Sequence, residues 1–253
     1  MNTQGYYTKK AKYYDLINAH KLEEAEEEVR FFRRQLLRLN KSARTVLDLG
    51  CGTGRLSMPL SRLGFYVTGI DNSKEMLALA KKKASTHISN PKFKMANFLT
   101  YVPHRKFDCA VCCDASLATL LSKRTLVKAL RRINADLKEG GVFFYDIWNY
   151  AEYTGWMPAS HRSAKIDGIE INLERRTNVD SNGMYRFTDR MHINENGKRS
   201  TMVTTYTSMV WKLKDWDSMF KQAGFRTVKR YSNLKHIRHL HGVPDKIYFV
   251  AVK

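Results

Sequence analysis

The chain has 253 residues, of which 43% are hydrophobic, so its length suits one large domain or a domain and a half. With 5 Pro and 14 Gly, the composition excludes a disordered, collagen-like or proline-rich linker protein. The 44 Lys and Arg outnumber the 24 Asp and Glu, and the net charge of +20 favours anionic partners without identifying one.

We expect a cytoplasmic protein with no membrane partner. No apolar run approaches the ~18 residues that a membrane helix needs, and the first twelve residues lack the apolar core of a signal peptide. The four cysteines form no paired Cys-x-x-Cys clusters and have no histidine at ligand spacing nearby. We therefore expect the cysteines to be reduced thiols and expect no metal site.

The first predicted element is an amphipathic helix over 20–39, where apolar residues recur every three or four positions and acidic residues precede basic ones. Short β-rich runs then alternate with helical ones. Strands are predicted at 45–49, 66–70, 92–95, 107–113 and 142–147, and helices at 55–63, 74–84 and 125–137. This alternation indicates βαβ units and an α/β fold with a doubly wound, Rossmann-like sheet.

From about residue 150 to 210 the period changes to strict alternation of apolar and polar residues, typical of antiparallel strands joined by turns such as Asn194-Glu195-Asn196-Gly197. A helix over 215–223 and strands over 226–231 and 246–252 follow, which completes a mainly parallel sheet of seven strands. The predicted division is therefore a main domain over 1–149 and 211–253 with a small β-sheet inserted over 150–210.

The strongest motif is a strand that runs into a glycine-rich turn, Asp48-Leu49-Gly50-Cys51-Gly52-Thr53-Gly54. Such a turn lets the backbone approach a ligand closely and presents amides at a helix N-terminus.

Two cofactor classes use such a turn. A dinucleotide fold requires a third glycine at the position that Arg55 occupies. Asp48 would repel a pyrophosphate but would receive an ammonium group. Asp71 ends the second strand, where an acidic side chain accepts hydrogen bonds from ribose hydroxyls. A ligand with an ammonium group at one end, near Asp48, and a ribose at the other, near Asp71, fits S-adenosylmethionine.

These motifs resemble the class I S-adenosylmethionine-dependent methyltransferases over nearly the whole chain. Residues 48–54 look like the first motif of that family, residues 69–77 like the second, and residues 137–142 like the turn before the fifth strand. The segment 7–15 and the hairpin-rich insert are similar to a subgroup that includes sugar N-methyltransferases and uncharacterised prokaryotic methyltransferases. We expect the insert to cover the acceptor side of the cofactor and regard it as a candidate homodimer contact, because a free-standing sheet of this size would leave one apolar face exposed.

The resemblance also implies individual roles. Tyr7 and Tyr14 would close over the methionyl end, Met76 would pack on the adenine, and Asn97 would accept from the adenine amine where family members usually carry Asp. The residues that it implies for cofactor binding are Tyr7, Tyr14, Asp48, Gly50, Cys51, Gly52, Gly54, Asp71, Asn72, Met76, Asn97, Phe98 and Cys113.

Two residues are candidates for the chemistry itself. Asp114 follows the fourth strand, where reactions occur in this fold, and faces either substrate or solvent. His161 follows the fifth strand together with several aromatic residues, which either line an acceptor pocket or pack within the insert: Trp148, Tyr150, Tyr153 and Trp156. We interpret Cys112 and Cys113 as core residues rather than as nucleophiles.

The expected acceptor is a small molecule with an amine or a hydroxyl, and the alternative is RNA. The net charge and the basic stretch 226–241 favour RNA. However, the excess positive charge is spread along the chain, with +12 in residues 1–150 and +8 in residues 151–253, whereas an RNA track is usually concentrated. We interpret His236, His239 and His241 as part of a basic surface loop, and residues 90–93 as a turn.

Overall fold

The computed structural model describes residues 3–86, 91–150, 154–232, 234 and 246–253. Elements are numbered in chain order. The helices are α1 Thr3–Lys10, α2 Tyr14–Ile17, α3 Ala19–Leu39, α4 Ser57–Arg62, α5 Lys74–Ala84, α6 Lys123–Asp136 and α7 Leu213–Gln222, with 3-10 turns at Ala11–Tyr13 and Ser116–Thr119. None of these helices is long and apolar enough to cross a membrane, judged over the described residues.

Seven strands form the main sheet. They are β1 Thr45–Leu49, β2 Tyr66–Asp71, β3 Lys92–Met95, β4 Phe107–Cys112, β5 Leu137–Trp148, β11 Thr227–Ser232 and β12 Lys246–Val252. Their order is β3-β2-β1-β4-β5-β12-β11, and only β12 runs antiparallel to its neighbours. The predicted doubly wound, mainly parallel sheet is confirmed.

The main sheet is buried on both faces because its central strands are apolar at nearly every position. Along β4, Ala110 and Cys112 point into one apolar cluster with α6 and α7, whereas Cys109 and Val111 point into another with α3 and α4. Each fully buried apolar side chain of this kind contributes about 1.5–3 kcal/mol relative to an exposed one. Because the strands are packed on both faces, their carboxyl ends are held in place, and the loops that follow these ends are positioned with them.

The second sheet is antiparallel and lies within the predicted insert. Its strands are β6 Gly155–Trp156, β7 Ser160–Ile166, β8 Ile169–Val179, β9 Met184–Glu195 and β10 Lys198–Met209. The order is β10-β9-β8-β6, with β7 also paired to β8. Within the insert, the alternation in the sequence predicts strands over 169–174, 185–193 and 202–211. This prediction includes the first half of β8 and omits β7.

One face of the second sheet packs on the N-terminal segment, which the sequence did not predict to be helical. Tyr6 from α1 contacts the aromatic residues Phe187 and Tyr206, while Tyr13 and Ile17 contact the aliphatic part of the same face. The opposite face is largely exposed and polar. The N-terminal segment therefore lies between the second sheet, called the lid below, and the main domain.

Candidate functional site

The glycine-rich turn after β1 is held against the end of β2 by backbone hydrogen bonds. The amides of Gly50 and Cys51 donate to the carbonyl of Ile70 at 2.8 and 3.0 Å. Gly50 and Gly52 have φ of +69° and +54°, which a residue with a Cβ rarely adopts. Asp71 Oδ2 accepts from the Gly52 amide at 2.9 Å, so this carboxylate and the turn form one rigid unit.

A cavity of about 870 Å³, counting its open mouth, lies at the carboxyl ends of β1, β2 and β4. A Cβ added to Gly52 would meet no atom within 4 Å, so the turn leaves room for a ligand at this point. The side chains and backbone that line the cavity belong to Tyr7, Tyr14, Asp48, Gly50, Cys51, Gly52, Thr53, Arg55, Leu56, Asp71, Asn72, Met76, Phe98, Cys113, Asp114, Ser116 and Thr119.

Asp48 is the buried carboxyl group of this cavity. It is 2% exposed, and the Ser57 hydroxyl donates to its Oδ2 atom at 2.6 Å. Burial raises the pKa of Asp48 to about 6, against the lowering effect of the Ser57 hydrogen bonds and the Arg55 charge. A cationic group placed beside Asp48 would restore its ionised form.

The N-terminal segment closes one side of the cavity. The rings of Tyr7 and Tyr14 lie 6.0 Å apart between centroids. Burial raises the pKa of both phenols, so they stay neutral. The Thr53 hydroxyl donates to Asp15 Oδ1 at 2.5 Å, and Lys83 pairs with the other carboxylate oxygen at 2.7 Å. These contacts hold the two tyrosines over the glycine-rich turn.

An ion network underlies the side of the cavity nearest the lid. Asp114 lies 3.2 Å from Lys21 Nζ, 3.6 Å from Arg55 Nε and 3.8 Å from Lys246 Nζ. Burial alone would raise the pKa of Asp114, but these three cations lower it well below its usual range. Asp114 also has a φ of +58°, an uncommon backbone conformation for a residue other than glycine. It is a fixed anion and a poor proton acceptor.

Two further buried carboxylates complete the network. Lys246, which is 1% exposed, contacts Glu28 Oε1 at 2.5 Å and Asp146 Oδ2 at 2.7 Å, and Glu28 also pairs with Arg55. Three carboxylates thus face three cations. Because the charges balance, the network can be buried without an uncompensated ion, and it ties α3 to the ends of β5 and β12.

Sequence comparisons assign the central part of the chain to a family. Residues 46–141 match a family model described as a methyltransferase domain. A putative methyltransferase from Geobacillus sp. (strain WCH70) is 38% identical over 108 residues, covering 42% of this chain and 43% of that relative. The putative methyltransferase YqeM of Bacillus subtilis is 27% identical over 184 residues, 72% of this chain and 73% of the relative. This chain thus spans less than half the length of the first relative.

Solved structures share the fold across both sheets. A S-adenosylmethionine-dependent methyltransferase from Clostridium acetobutylicum has a TM-score of 0.75 at 20% identity and covers 95% of each chain. DesVI of Streptomyces venezuelae has a TM-score of 0.81 at 21% identity, with 96% and 97% covered. The sugar N-methyltransferase KedS8 from Streptoalloteichus has a TM-score of 0.73 at 21% identity, with 90% and 87% covered. Residues 46–141 therefore match a methyltransferase domain, and the chain shares the fold of solved S-adenosylmethionine-dependent methyltransferases.

In this chain, most of the residues predicted to bind the cofactor meet at the cavity. They are Tyr7, Tyr14, Asp48, Gly50, Cys51, Gly52, Asp71, Asn72, Met76, Phe98 and Cys113. Gly54 does not line the cavity, but a Cβ there would meet Met58 and Phe93 side chains at 3.2 Å, so its role is close packing. Asn97 is exposed and its Oδ1 accepts from the Leu99 amide at 2.8 Å, which gives no support to the predicted adenine contact.

The two residues predicted for the chemistry are placed differently. Asp114 lines the cavity. His161 does not line it: it is exposed on β7 and lies opposite Glu174 of β8, on the outer face of the lid. Because side chains alternate along a strand, Arg162 rather than His161 points to the inner face. The position of His161 on the surface therefore gives no support to its predicted role in the chemistry.

The aromatic residues after β5 do not form a shared wall of the cavity. Tyr150 packs on Tyr185 of the lid with 4.6 Å between ring centroids, and Trp156 is 75% exposed. Lys246 Nζ lies 5.6 Å from the ring centroid of Trp148. Tyr153 lies outside the described residues, as do Asn90, Lys235, His236, Arg238, His239 and His241. Within the described ranges, no cluster of three or more His, Cys, Asp or Glu is arranged to hold a metal ion.

Sequence reasoning missed several residues of the site. Arg55 served only to argue against a dinucleotide, although its guanidinium links Glu28 to Asp114. Lys21 and Lys246 carry no local motif, and only their position in space identifies them. All four cysteines are buried and free, and burial raises the pKa of the Cys113 thiol well above its usual value, although it lines the cavity. An inert thiol agrees with the predicted absence of a cysteine nucleophile.

Proposed function

We propose that this protein transfers a methyl group from S-adenosylmethionine to an amine or hydroxyl of a small molecule. The observation that carries the proposal is the cavity itself, where a buried carboxyl group, a rigid ribose-type carboxylate and the glycine-rich turn meet under two tyrosines. S-adenosylmethionine supplies an electrophilic methyl group on its sulfonium. The cavity offers a carboxyl group for the ammonium of that molecule and a second carboxylate for its ribose.

The residues present suit the cofactor. Asp48 is placed to receive the methionyl ammonium, which would stabilise its ionised form. Asp71 uses its two oxygens to accept from the Gly52 and Ser73 amides at 2.9 and 2.8 Å, and each oxygen retains a lone pair for a ribose hydroxyl. Met76 and Phe98 provide apolar surface for the adenine.

The protein's own contribution is alignment and exclusion of water, because methyl transfer is an in-line displacement. Tyr7 and Tyr14 restrict access to the reacting centre, and the 3-10 turn Ser116–Thr119 lines the cavity on the acceptor side. Asp114 is held by Lys21, Arg55 and Lys246, so it is suited to orienting an acceptor and not to removing its proton. An acceptor amine would therefore react in its neutral form and release its proton to solvent.

The enclosure of the cavity supports a small acceptor. Tyr7 and Tyr14 of the N-terminal segment line the cavity, and the Tyr7 ring lies 6.3 Å from the ring of Tyr206 on the lid, so the N-terminal segment covers part of the cavity with the lid behind it. The sugar N-methyltransferase with the same two-sheet architecture agrees with this proposal. The alternative acceptor is RNA, which the net charge of +20 favours.

Incubation with radiolabelled S-adenosylmethionine and a cellular extract split into RNA and small-molecule fractions tests the proposal. We expect label in the small-molecule fraction and none in RNA. A contribution from RNA would also appear as steep salt dependence, with affinity falling by ~10³–10⁵ between 50 and 200 mM salt for 6–10 phosphate contacts. Labelling of the RNA fraction alone would replace the proposed acceptor, and failure to bind S-adenosylmethionine would refute the proposal as a whole.

A further inference from the structure

The inner face of the lid carries more positive charge than its carboxylate neutralises. Lys10 and Asp189 are both fully buried and form an ion pair. Arg175 pairs with the same carboxylate through Nε at 2.7 Å and Nη2 at 2.8 Å. Arg162 lies on this face as well, because it pairs with Leu173 of β8, which in turn pairs with Met191 of β9. Three cations thus face one carboxylate.

Arg162 is the cation that lacks a carboxylate among the described residues. Its Nη1 atom donates a hydrogen bond to Asn18 Oδ1, a neutral acceptor, at 3.3 Å. Burial, together with the neighbouring Arg175 charge, lowers the pKa of Arg162. A half-buried guanidinium with a neutral partner is costly for the folded protein, since its desolvation is not offset by an ion pair.

Arg162 is linked to the cavity wall through the N-terminal segment. Its partner Asn18 joins α2 to α3, and Lys21, three residues further along the chain, contacts Asp114 of the cavity wall at 3.2 Å. His20 lies between Asn18 and Lys21 in the sequence, and its partial burial, followed by the Arg162 and Lys21 charges, lowers its pKa to about 4. The positive potential therefore extends from the lid to the acceptor side of the cavity.

We infer that the methyl acceptor carries an oxyanion, either a carboxylate or a phosphate, which Arg162 binds beside Arg175. The planar guanidinium offers paired N–H donors that match such a group, and the excess positive charge on this face is reduced when the oxyanion binds. This inference rests on the proposed function, because it names the acceptor class of the same site.

The first test uses simple anions on the intact chain saturated with S-adenosylhomocysteine. Calorimetry with inorganic pyrophosphate and with malonate, at fixed ionic strength, measures binding to a phosphate and to a carboxylate probe. We expect saturable binding of at least one probe, weakened about tenfold by Arg162→Gln. The matched control is Arg186→Gln, which removes an exposed arginine from the outer face of the same sheet and is expected to leave binding unchanged.

Arg162→Lys keeps the charge and loses the planar fork, so it is expected to weaken binding by a smaller factor, and it serves if the Gln variant does not fold. Equal binding by the native protein and the Arg162 variants would overturn the inference, as would no saturable binding of either probe.

The second test uses the labelled small-molecule product. We expect it to be retained on an anion-exchange column run at about pH 11.5, where an amine is neutral and the oxyanion keeps its charge, and phosphatase treatment to release it only if the oxyanion is a phosphate monoester. A labelled product that passes through the column would overturn the inference while leaving the proposed function intact. If the protein does not bind S-adenosylhomocysteine, the failure belongs to the proposed function.

Discussion

Lowering the pH from 7 to 5 is expected to weaken S-adenosylhomocysteine binding about tenfold through protonation of Asp48. This carboxyl group is 2% exposed, and its burial raises its pKa to about 6. At pH 5 about one tenth of the free protein would carry the ionised form. If the ligand ammonium binds only to that form, the apparent affinity falls by the same factor.

Calorimetry at pH 5, 6 and 7 measures this effect. In buffers of different ionisation enthalpy, about half a proton should be released per ligand bound at pH 6. Asp48→Asn is expected to bind more weakly at pH 7 and to lose the pH dependence, because its side chain does not titrate. A native affinity that is constant from pH 5 to 7, or a pH dependence that persists in Asp48→Asn, would refute the role of Asp48.

The same group links folding to pH with a defined sign. The folded pKa of Asp48 is raised above its unfolded value, so between pH ~4 and ~6 the folded protein retains a proton that the unfolded chain has released. The contribution of Asp48 to the free energy of unfolding therefore falls as the pH rises through this window, by about 3 kcal/mol without ligand. Denaturant unfolding of native protein and Asp48→Asn across that range measures the difference.

Three further predictions concern other parts of the site. Asp71→Ala should weaken S-adenosylhomocysteine binding by about 1.5–3 kcal/mol for each charge-assisted hydrogen bond lost, whereas an unchanged calorimetric affinity would remove the ribose assignment. Glu28→Gln should lower the free energy of unfolding by about 3–5 kcal/mol, because Arg55 and Lys246 lose a buried counter-charge, and denaturant titration would show a smaller loss if solvent reaches the network. In NMR titrations His20 should have a midpoint near pH 4 that rises in Arg162→Gln; a midpoint near 6.5 in the native protein would contradict the electropositive environment.

The sequence alone was sufficient to predict the presence and order of strands β1 to β5 and the glycine-rich turn. These features depend on local signals, namely apolar runs of strand length, helical periods between them and glycines with positive φ. The predicted strand Thr45–Leu49 and helix Lys74–Ala84 have the observed bounds. Asp48 and Asp71 could be placed because parallel strands end at one edge of a sheet, so motifs at successive strand ends meet there.

The N-terminal helix α1 could not be predicted, because its sequence of polar residues and tyrosines shows no helical period. Contacts with the lid hold it: the Tyr6 hydroxyl donates to Asp189 at 3.0 Å across 183 residues of chain. Strand register likewise decides that Arg162, and not His161, lies on the inner face of the lid, since a shift of one residue reverses the face on which a side chain lies. Neither property is encoded near the residues concerned.

The ion network around Asp114 also could not be predicted from local sequence. Composition shows an excess of cations, and the motifs locate Asp114 after a strand, yet nothing local links Lys21, Glu28 and Lys246. A buried carboxylate is stabilised by whichever cations the folded chain brings within a few ångströms, because Coulomb attraction in a poorly solvated interior depends on distance in space and not along the chain. The local sequence therefore determined the glycine-rich edge of the sheet, and the tertiary structure decided the charges that surround the cavity.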